Sequence, residues 1–494
     1  MKLKILLIII LFFAAILRLY KLSGIPPSLY WDETSLGYNA YLIATSGYDE
    51  HSEFLPLARF IAFGDNKPPG YIYTAVPAVF FFGLNEFSVR FPSVVAGLSI
   101  AVITFLLTKE FFNNKIALLS CYFLAISPWA IQFSRAAFEA NLAACFNLLG
   151  VYLFLRSIKC RRLIVFSIVC FILAFYTFNA NRIISPLIML GLSIVYMKNS
   201  IKNPKWLIVS LLVSVVMILP SIRYLSDRES RVRFQEVSIF NNFELIKVSN
   251  NRIALDNQAW WANLIHNRRI IYVYDFLKHY FDNFSGRFLF THGDVNPRLS
   301  IQEIGELYIW DLPFLLLGIY WLVRKRKKAL LPLIIWMLIV PIPAGMARET
   351  PHALRIVSIL SAYQIIIAYG VYMFIVIIKR GFSNSSTSGE PKSDLVATRG
   401  VLTSPCYRLV SRFPLKFFML SVICFLLSVN FFYYLHNYYI HYPVNWSGEW
   451  QYGYKEMVSS VLKMQDNYDS VFVTEALGRP YIYFAFYKPY SLEE

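Results

Sequence analysis

MKLKILLIIILFFAAILR, residues 1–18, opens the chain with a basic start, Lys2 and Lys4, and an apolar run from Ile5 to Leu17 that Arg18 closes. No small-residue cleavage site follows, so the run reads as a retained first span and not as a signal peptide. Working outward, further apolar runs lie at roughly 91–108, 115–130, 140–155, 163–178, 183–197, 205–222, 307–323, 329–346, 354–378 and 415–435. Most have the ~17–25 residues that cross a ~30 Å hydrocarbon core. The chain is 57% hydrophobic and only 16% charged, against roughly a quarter charged for a soluble domain. This predicts an all-α polytopic membrane protein with about eleven transmembrane helices.

The net charge of +17 does not point to nucleic acid. The basic residues sit in short clusters between apolar runs, as the positive-inside rule requires, and not on one soluble face. Those clusters are Arg156 to Arg162, Lys198 to Lys205, Arg324 to Lys328, and Lys379 to Arg399. Placing all of them inside is self-consistent only if the apolar stretch Gly70 to Leu84 is not a full span. Its ~15 residues reach ~22 Å, so it reads as a short interfacial or partly inserted helix. The outside then holds 19–90, 224–306, 347–353 and 436–494. We expect a membrane module over 1–225, a large outer loop over 226–306, a second membrane module over 307–435 with a cytoplasmic linker at 379–414, and an outer segment over 436–494. Ser383 to Ser393 reads as flexible. Asp469 to Thr474 alternates like a strand and Pro480 to Tyr487 reads like a helix start, which suggests the opening of a small, incomplete α/β segment. None of the six cysteines pairs in an outer loop, so no disulfide framework is implied, and no metal-binding motif appears.

Chemistry-bearing residues gather in the outer regions. Asp32 and Glu33 follow Tyr30 and Trp31 just past the first span; adjacent carboxylates at an interface suit general-base work. The bland alternative is a helix start with Asp32 as cap and Glu33 in the first turn. Lys67 precedes Pro68, Pro69 and a helix, where an anion such as phosphate is favoured; otherwise it is a loop lysine. Arg90 and Arg135 lie at outer ends of spans. Arg135 and Glu139 are spaced i, i+4 and would share a helix face, either as functional residues at bilayer depth or as a structural ion pair. Arg348, His352 and Arg355 put positive charge in an outer loop, against the positive-inside trend, and suit a phosphate or diphosphate. His292, Asp294, Arg298, Glu303 and Glu306 carry no assignable roles from sequence, and His266 and His279 read as ordinary interfacial residues.

In order and spacing, Asp32-Glu33, Lys67-Pro68-Pro69, Arg90-Phe91-Pro92, Ser134-Arg135 with Glu139, and the large loop after the seventh span resemble the GT-C glycosyltransferases. The resemblance is to the protein O-mannosyltransferase and lipid A aminoarabinose transferase branch (glycosyltransferase families 39 and 83). It is good over 1–225, looser over 226–380 and weak at the C-terminus. It implies a polyprenyl-phosphate-sugar donor, inversion at the anomeric carbon and a site on the outer face. It implies Asp32 as base, Glu33 as a residue holding the acceptor, Lys67 and Arg90 as donor-phosphate ligands, and Glu139 on the acceptor side, where Arg135 accompanies it. Arg348, His352 and Arg355 join the phosphate ligands on charge and topology alone. Lys67 stands where the mannosyltransferases carry His, and their soluble luminal insert has no counterpart; both weigh against a protein acceptor.

The expected activity is that of an inverting hexosyl- or pentosyltransferase in the plasma or inner membrane, acting on the non-cytoplasmic face. Its partners would be a polyprenyl-phosphate-linked sugar, a lipid, glycan or protein acceptor, and membrane lipids, with no nucleic acid. No cofactor is implied, and a divalent metal is left open. The alternative is a transporter or flippase of a lipid-linked sugar. It is disfavoured because the charged residues cluster at outer helix ends and not at the bilayer midplane.

Overall fold

The first apolar run is a helix, α1 (Lys2–Leu19), which exposes Ile8 and Phe12 on one side and buries Ala14, Leu17 and Arg18 on the other. The structure is a computed structural model and describes residues 2–197, 204–226, 238–325, 328–387 and 413–489. Each of the apolar runs forms helix. After α1 and the first loop come α4 (Glu86–Phe111), α5 (Asn114–Ile126) with α6 (Pro128–Ser134), α7 (Glu139–Ser157), α8 (Leu163–Phe175), α9 (Asn181–Val195) and α10 (Pro204–Ser226). The long loop carries α11 (Phe243–Leu255), α12 (Trp260–Ile265) and α13 (Arg268–Asp282). The second membrane module has α14 (Asp311–Arg324), α15 (Leu330–Ile339), α16 (Leu360–Thr387) and α17 (Phe413–His436). The C-terminal segment adds α18 (Tyr454–Met464) and α19 (Pro480–Tyr487).

Among the described residues, four helical stretches are long and apolar enough to cross a membrane: Glu86–Phe111, Glu139–Ser157, Pro204–Ile222 and Ala353–Ile378. A fifth joins α5 and α6, bent by 60° where Ser127 caps α6 and Pro128 occupies its first position. The apolar helices Gly70–Phe82, Leu163–Phe175, Asn181–Val195 and Leu330–Gly345 are shorter than a ~20-residue span. α10 is peripheral: Leu211, Val216 and Leu219 are exposed, the pattern of a helix that meets lipid.

Where helices cross closely, small residues allow it. A Cβ on Gly370 of α16 would strike the carbonyl oxygen of Phe314, and one on Gly318 of α14 would strike that of Ile366. Lipid tails are as apolar as Leu, so close backbone packing is what holds such helices together.

The first loop contains α2 (Trp31–Thr45), a hairpin of β1 (Phe60–Ala62) and β2 (Asp65–Lys67), and α3 (Gly70–Phe82). Phe63 and Gly64, both at positive φ, make the two-residue turn. Gly70 donates its N–H to Tyr176 O at 2.9 Å and sits so close to Thr177 that a Cβ would strike its hydroxyl. This fixes α3 against the end of α8.

Two expectations are corrected. Asp469 to Thr474 forms no strand, and the sheet found among the described residues is the β1–β2 pair; a strand in the C-terminal segment would need a neighbour to satisfy its backbone. α16 runs on through Thr387, so the first part of the expected flexible stretch is helical. The rest of the linker and Lys198 and Lys202 lie outside the described residues.

Gly370→Ala is expected to destabilise the protein by ~1–3 kcal/mol through forced separation of α14 and α16. Thermal unfolding in detergent checks this, with Gly448→Ala, where a Cβ meets open space, as the control.

Candidate active site

The acidic pair opens α2, and its two members do different work. Glu33 has no exposed surface. Its carboxylate accepts from Arg90 Nε and Nη2, both at 3.1 Å, from Ala137 N at 2.7 Å and from Tyr30 N at 3.3 Å. The helix start is therefore capped by Glu33 reaching back to Tyr30, and Asp32 is left free of that task. Asp32 is about one-fifth exposed. Its Oδ1 meets Lys67 Nζ at 2.6 Å and its Oδ2 accepts from the Tyr30 hydroxyl. Lys67 reaches it from the end of β2. Burial alone would lower the Lys67 ammonium, but Asp32, Glu139 and Asp65 together hold it above its ordinary value. Glu139 is therefore within electrostatic reach of this pair, at the first turn of α7. Its Oε1 is buried without a hydrogen-bond partner among the described residues.

Two expected ligands are committed elsewhere. Arg90 is fully buried and makes five hydrogen bonds, two to Glu33 and three to the carbonyls of Leu22, Pro26 and Ser28. That is the whole donor set of a guanidinium, so none remains for a donor phosphate. Arg135 gives its two terminal nitrogens to the carbonyls of Leu17, Arg18, Tyr20 and Ile25 at 2.7–3.0 Å. These lie at and just past the end of α1, where orphan carbonyls need donors. No ion pair joins Arg135 to Glu139 among the described residues, because the chain breaks between them: α6 ends at Ser134 and α7 starts at Glu139. Glu33, likewise, is saturated by protein donors and cannot hold an acceptor.

Arg348, His352 and Arg355 form a second cluster. Arg348 donates to the carbonyls of Ser238 and Asn241 and pins the start of the long loop. Arg355 donates to Glu349 O at 2.9 Å. His352 Nδ1 lies 3.9 Å from Asp294 Oδ2; burial and then Arg355 push its imidazole well below the ordinary value. Burial raises the Asp294 carboxyl to about 6; burial, with Asp294 adding to the effect, also pushes Glu306 well above its ordinary value. No contact joins this cluster to Asp32 among the described residues.

The loop between the clusters supplies a residue that the sequence left without a role. Arg298 stacks on Tyr30, 4.6 Å from the ring centroid, and lies 5.8 Å from that of Trp31. Its Nε touches Asn296 at 3.3 Å, and its terminal nitrogens have no acceptor among the described residues. Trp450 of the C-terminal segment is also unforeseen. It is buried, lies 5.8 Å from the Arg90 guanidinium and donates its indole N–H to Tyr442 Oη. Its local signal is weak, one Trp among ten in an aromatic-rich chain.

Two apolar cavities lie along α3, and the lining of one begins at Pro69, two residues past Lys67. One, of about 480 Å³, is lined by Pro69, Gly70, Tyr73, Tyr176 and Met217. The other, of about 990 Å³, runs between α3, α4 and α7 along Phe82, Phe91, Val95 and Leu142. Thr74 and Phe146 line both. At the far ends of α4 and α7, Glu110 pairs with Arg156 at 2.8 Å and with Lys159 at 3.3 Å.

With this geometry in place, comparison with known proteins is informative. The family model for dolichyl-phosphate-mannose-protein mannosyltransferases matches residues 66–224. Two Bacillus subtilis (strain 168) proteins provisionally described as mannosyltransferases are similar. YkcB is 25% identical over 224 residues, 45% of this chain and 30% of its own, and YycA is 26% identical over 215 residues, 43% and 30%. The chain thus matches less than a third of these relatives' length. The crystal structure of ArnT from Cupriavidus metallidurans bound to undecaprenyl phosphate aligns with a TM-score of 0.52 at 12% identity, over 98% of this chain and 83% of that one. Its apo form aligns with a TM-score of 0.50 at 14% identity, over 97% and 82%. The chain has the GT-C membrane fold.

Arg90→Met is expected to cost ~3–5 kcal/mol, since it leaves Glu33 buried and unpaired. Asp32→Asn, at a partly exposed site, is expected to leave the unfolding temperature nearly unchanged; thermal scanning in detergent compares them. A second expectation concerns pH. A carboxyl raised on folding stabilises the fold fully below its ordinary value of 3.8 and loses that contribution as pH rises through about 6. Hydrogen exchange of 292–306, corrected for intrinsic rates, should therefore show protection falling from about pH 4 to about pH 6. Asp294→Asn should flatten that fall.

Proposed function

We propose that the protein transfers a sugar from a polyprenyl-phosphate donor to an acceptor hydroxyl or phosphate, with inversion at the anomeric carbon and Asp32 as base. The observation that carries this reading is the Asp32–Lys67 pair, at 2.6 Å and partly open, with an apolar cavity whose lining begins at Pro69, two residues beyond Lys67, and which shares Thr74 and Phe146 with a second, larger one. An apolar groove next to a lysine suits a molecule with a lipid tail and a phosphate head. The undecaprenyl phosphate held by ArnT has that form.

The donor phosphate takes Lys67 Nζ and the unused nitrogens of Arg298. As Lys67 swings to the phosphate, Asp32 Oδ1 is released and turns to the acceptor. The acceptor oxygen attacks the anomeric carbon as its proton passes to Asp32. The bond from that carbon to the phosphate oxygen breaks, and polyprenyl phosphate leaves with the electron pair. Lys67 and Arg298 stabilise the charge that grows on it. Glu139, with its unpaired oxygen, faces a hydroxyl of the sugar or acceptor. Arg90, Glu33 and Arg135 hold the loop and do not touch substrate.

The reading places the site on the non-cytoplasmic face of the cell membrane. Asp32, Lys67 and Glu139 gather at one end of α4 and α7, and Arg156 and Lys159 lie at the other, the end that the positive-inside rule assigns to the cytoplasm.

Transfer of labelled sugar from polyprenyl-phosphate sugars in proteoliposomes tests it. Asp32→Asn should lose ~10²–10⁴-fold in kcat. Lys67→Ala and Arg298→Ala should lower kcat/KM by ~10²-fold or more, with the fold intact. If Asp32→Asn transfers sugar at the parent rate, the assigned base is wrong.

A further inference from the structure

The long loop carries an apolar surface that no part of the described chain covers. α13 presents Ile270, Val273, Tyr274, Leu277 and Phe281 on one stripe, at i, i+3, i+4, i+7 and i+11, and all five are exposed. Its opposite face is the packed one. Ile271 is buried, Phe276 lies over Gly345, and Tyr280 donates to Leu338 O at 2.8 Å. A soluble helix would turn that stripe inward. Ahead of it, α12 and the end of α11 form a tip whose Leu255, Trp260, Leu264 and Ile265 are also exposed, Leu255 at 82% and Trp260 at 77%. The tip is an ordered element. Ser249 donates to His266 O at 2.5 Å, and His266 lies 3.1 Å from Asp256.

Two observations say what covers this surface. The first is continuity. Tyr280 reaches Leu338 on α15, an apolar helix whose Leu331, Ile334 and Leu338 are themselves exposed, as lipid-facing residues are. The α13 stripe therefore begins where the lipid-facing surface of α15 ends. At ~1.5 Å per residue the 15-residue helix is ~22 Å long, too short to span but suited to lying along the interface. The second is charge. Arg252, Arg268 and Arg269 are exposed, and their side chains make no hydrogen bond or ion pair among the described residues. Arg268 and Arg269 occupy the first turn of α13, where the helix dipole disfavours cations and favours an anion. A lipid phosphate there offsets that cost. Trp at the boundary with arginine beside it is the composition of an interfacial element.

We propose that Phe243–Asp282 is a membrane-resting hairpin: its Trp260–Ile265 tip and the α13 stripe bury in the leaflet on the active-site side, with Arg252, Arg268 and Arg269 on anionic lipid head groups. This stands independently of the sugar chemistry. It gives the long loop a fixed floor, from which Arg298 is presented to Tyr30.

The test uses the full chain in nanodiscs of zwitterionic lipid, or with anionic phosphatidylglycerol added, containing lipids brominated just below the head group. The difference in emission between the parent and W260F/W261F isolates the tip. It should be blue-shifted, lose more than half its intensity to the bromolipid, and be quenched further in anionic discs. R268E/R269E should abolish that further quenching. A water-like, unquenched difference overturns the insertion, and quenching that ignores both lipid charge and charge reversal overturns the head-group contact. On the unaltered chain, acyl-chain photo-cross-linking lipids should label 260–281, and label confined to other helices contradicts the proposal.

Discussion

The ion pair between Arg90 and Glu33 is the constraint on which the site depends. Neither side chain has exposed surface, so each charge must be matched inside the protein or cost several kcal/mol. The match is complete for both. Arg90 spends its remaining donors on carbonyls of the first loop, and Glu33 takes N–H groups from Tyr30 and from Ala137 between α6 and α7. One pair therefore ties α2, α4, the end of α1 and the start of α7 to a common point. Arg135 and Arg18 extend the principle. Arg18 donates to Ala125 O and Leu124 O at the end of α5 and to Ser134 Oγ, while Arg135 closes the end of α1. In an apolar surrounding, a helix end without such partners would leave carbonyls unsatisfied.

That rigidity is what gives Asp32 its place. Because Glu33 does the capping, its neighbour is free to project from the first turn to Lys67. The C-terminal segment completes the support. Tyr483 donates to Leu29 O, and Lys455 and Tyr487 both reach Glu86, so α18 and α19 hold the loop from above while Trp450 lies beside Arg90.

Much of this was legible in the sequence, for physical reasons. Apolar runs of span length become helices because the backbone must satisfy itself in lipid. Asp32 and Lys67 do pair, with Glu139 within electrostatic reach of both. What misled was burial. Arg90, Arg135 and Glu33 look like Asp32 and Lys67 in sequence, and only the packing shows that Glu33 and the terminal nitrogens of both arginines are taken by partners within the protein. The spacing of Arg135 and Glu139 suggested a shared helix face, but the helix breaks between them. Arg298 lay unassigned because its value comes from the rings beneath it, 268 and 267 positions away in Tyr30 and Trp31. The C-terminal strand pattern failed for want of a pairing neighbour.

The central claim is that Lys67 serves two anions in turn, Asp32 in the resting protein and the donor phosphate during transfer. The most direct measurement is an experimental structure with a polyprenyl phosphate bound. The account predicts the phosphate within hydrogen-bonding distance of Lys67 Nζ and the Arg298 guanidinium, the lipid tail in the cavities beside α3, and Asp32 Oδ1 released from Lys67. A phosphate seated at Arg348 and Arg355, with the Asp32–Lys67 pair undisturbed, would contradict it.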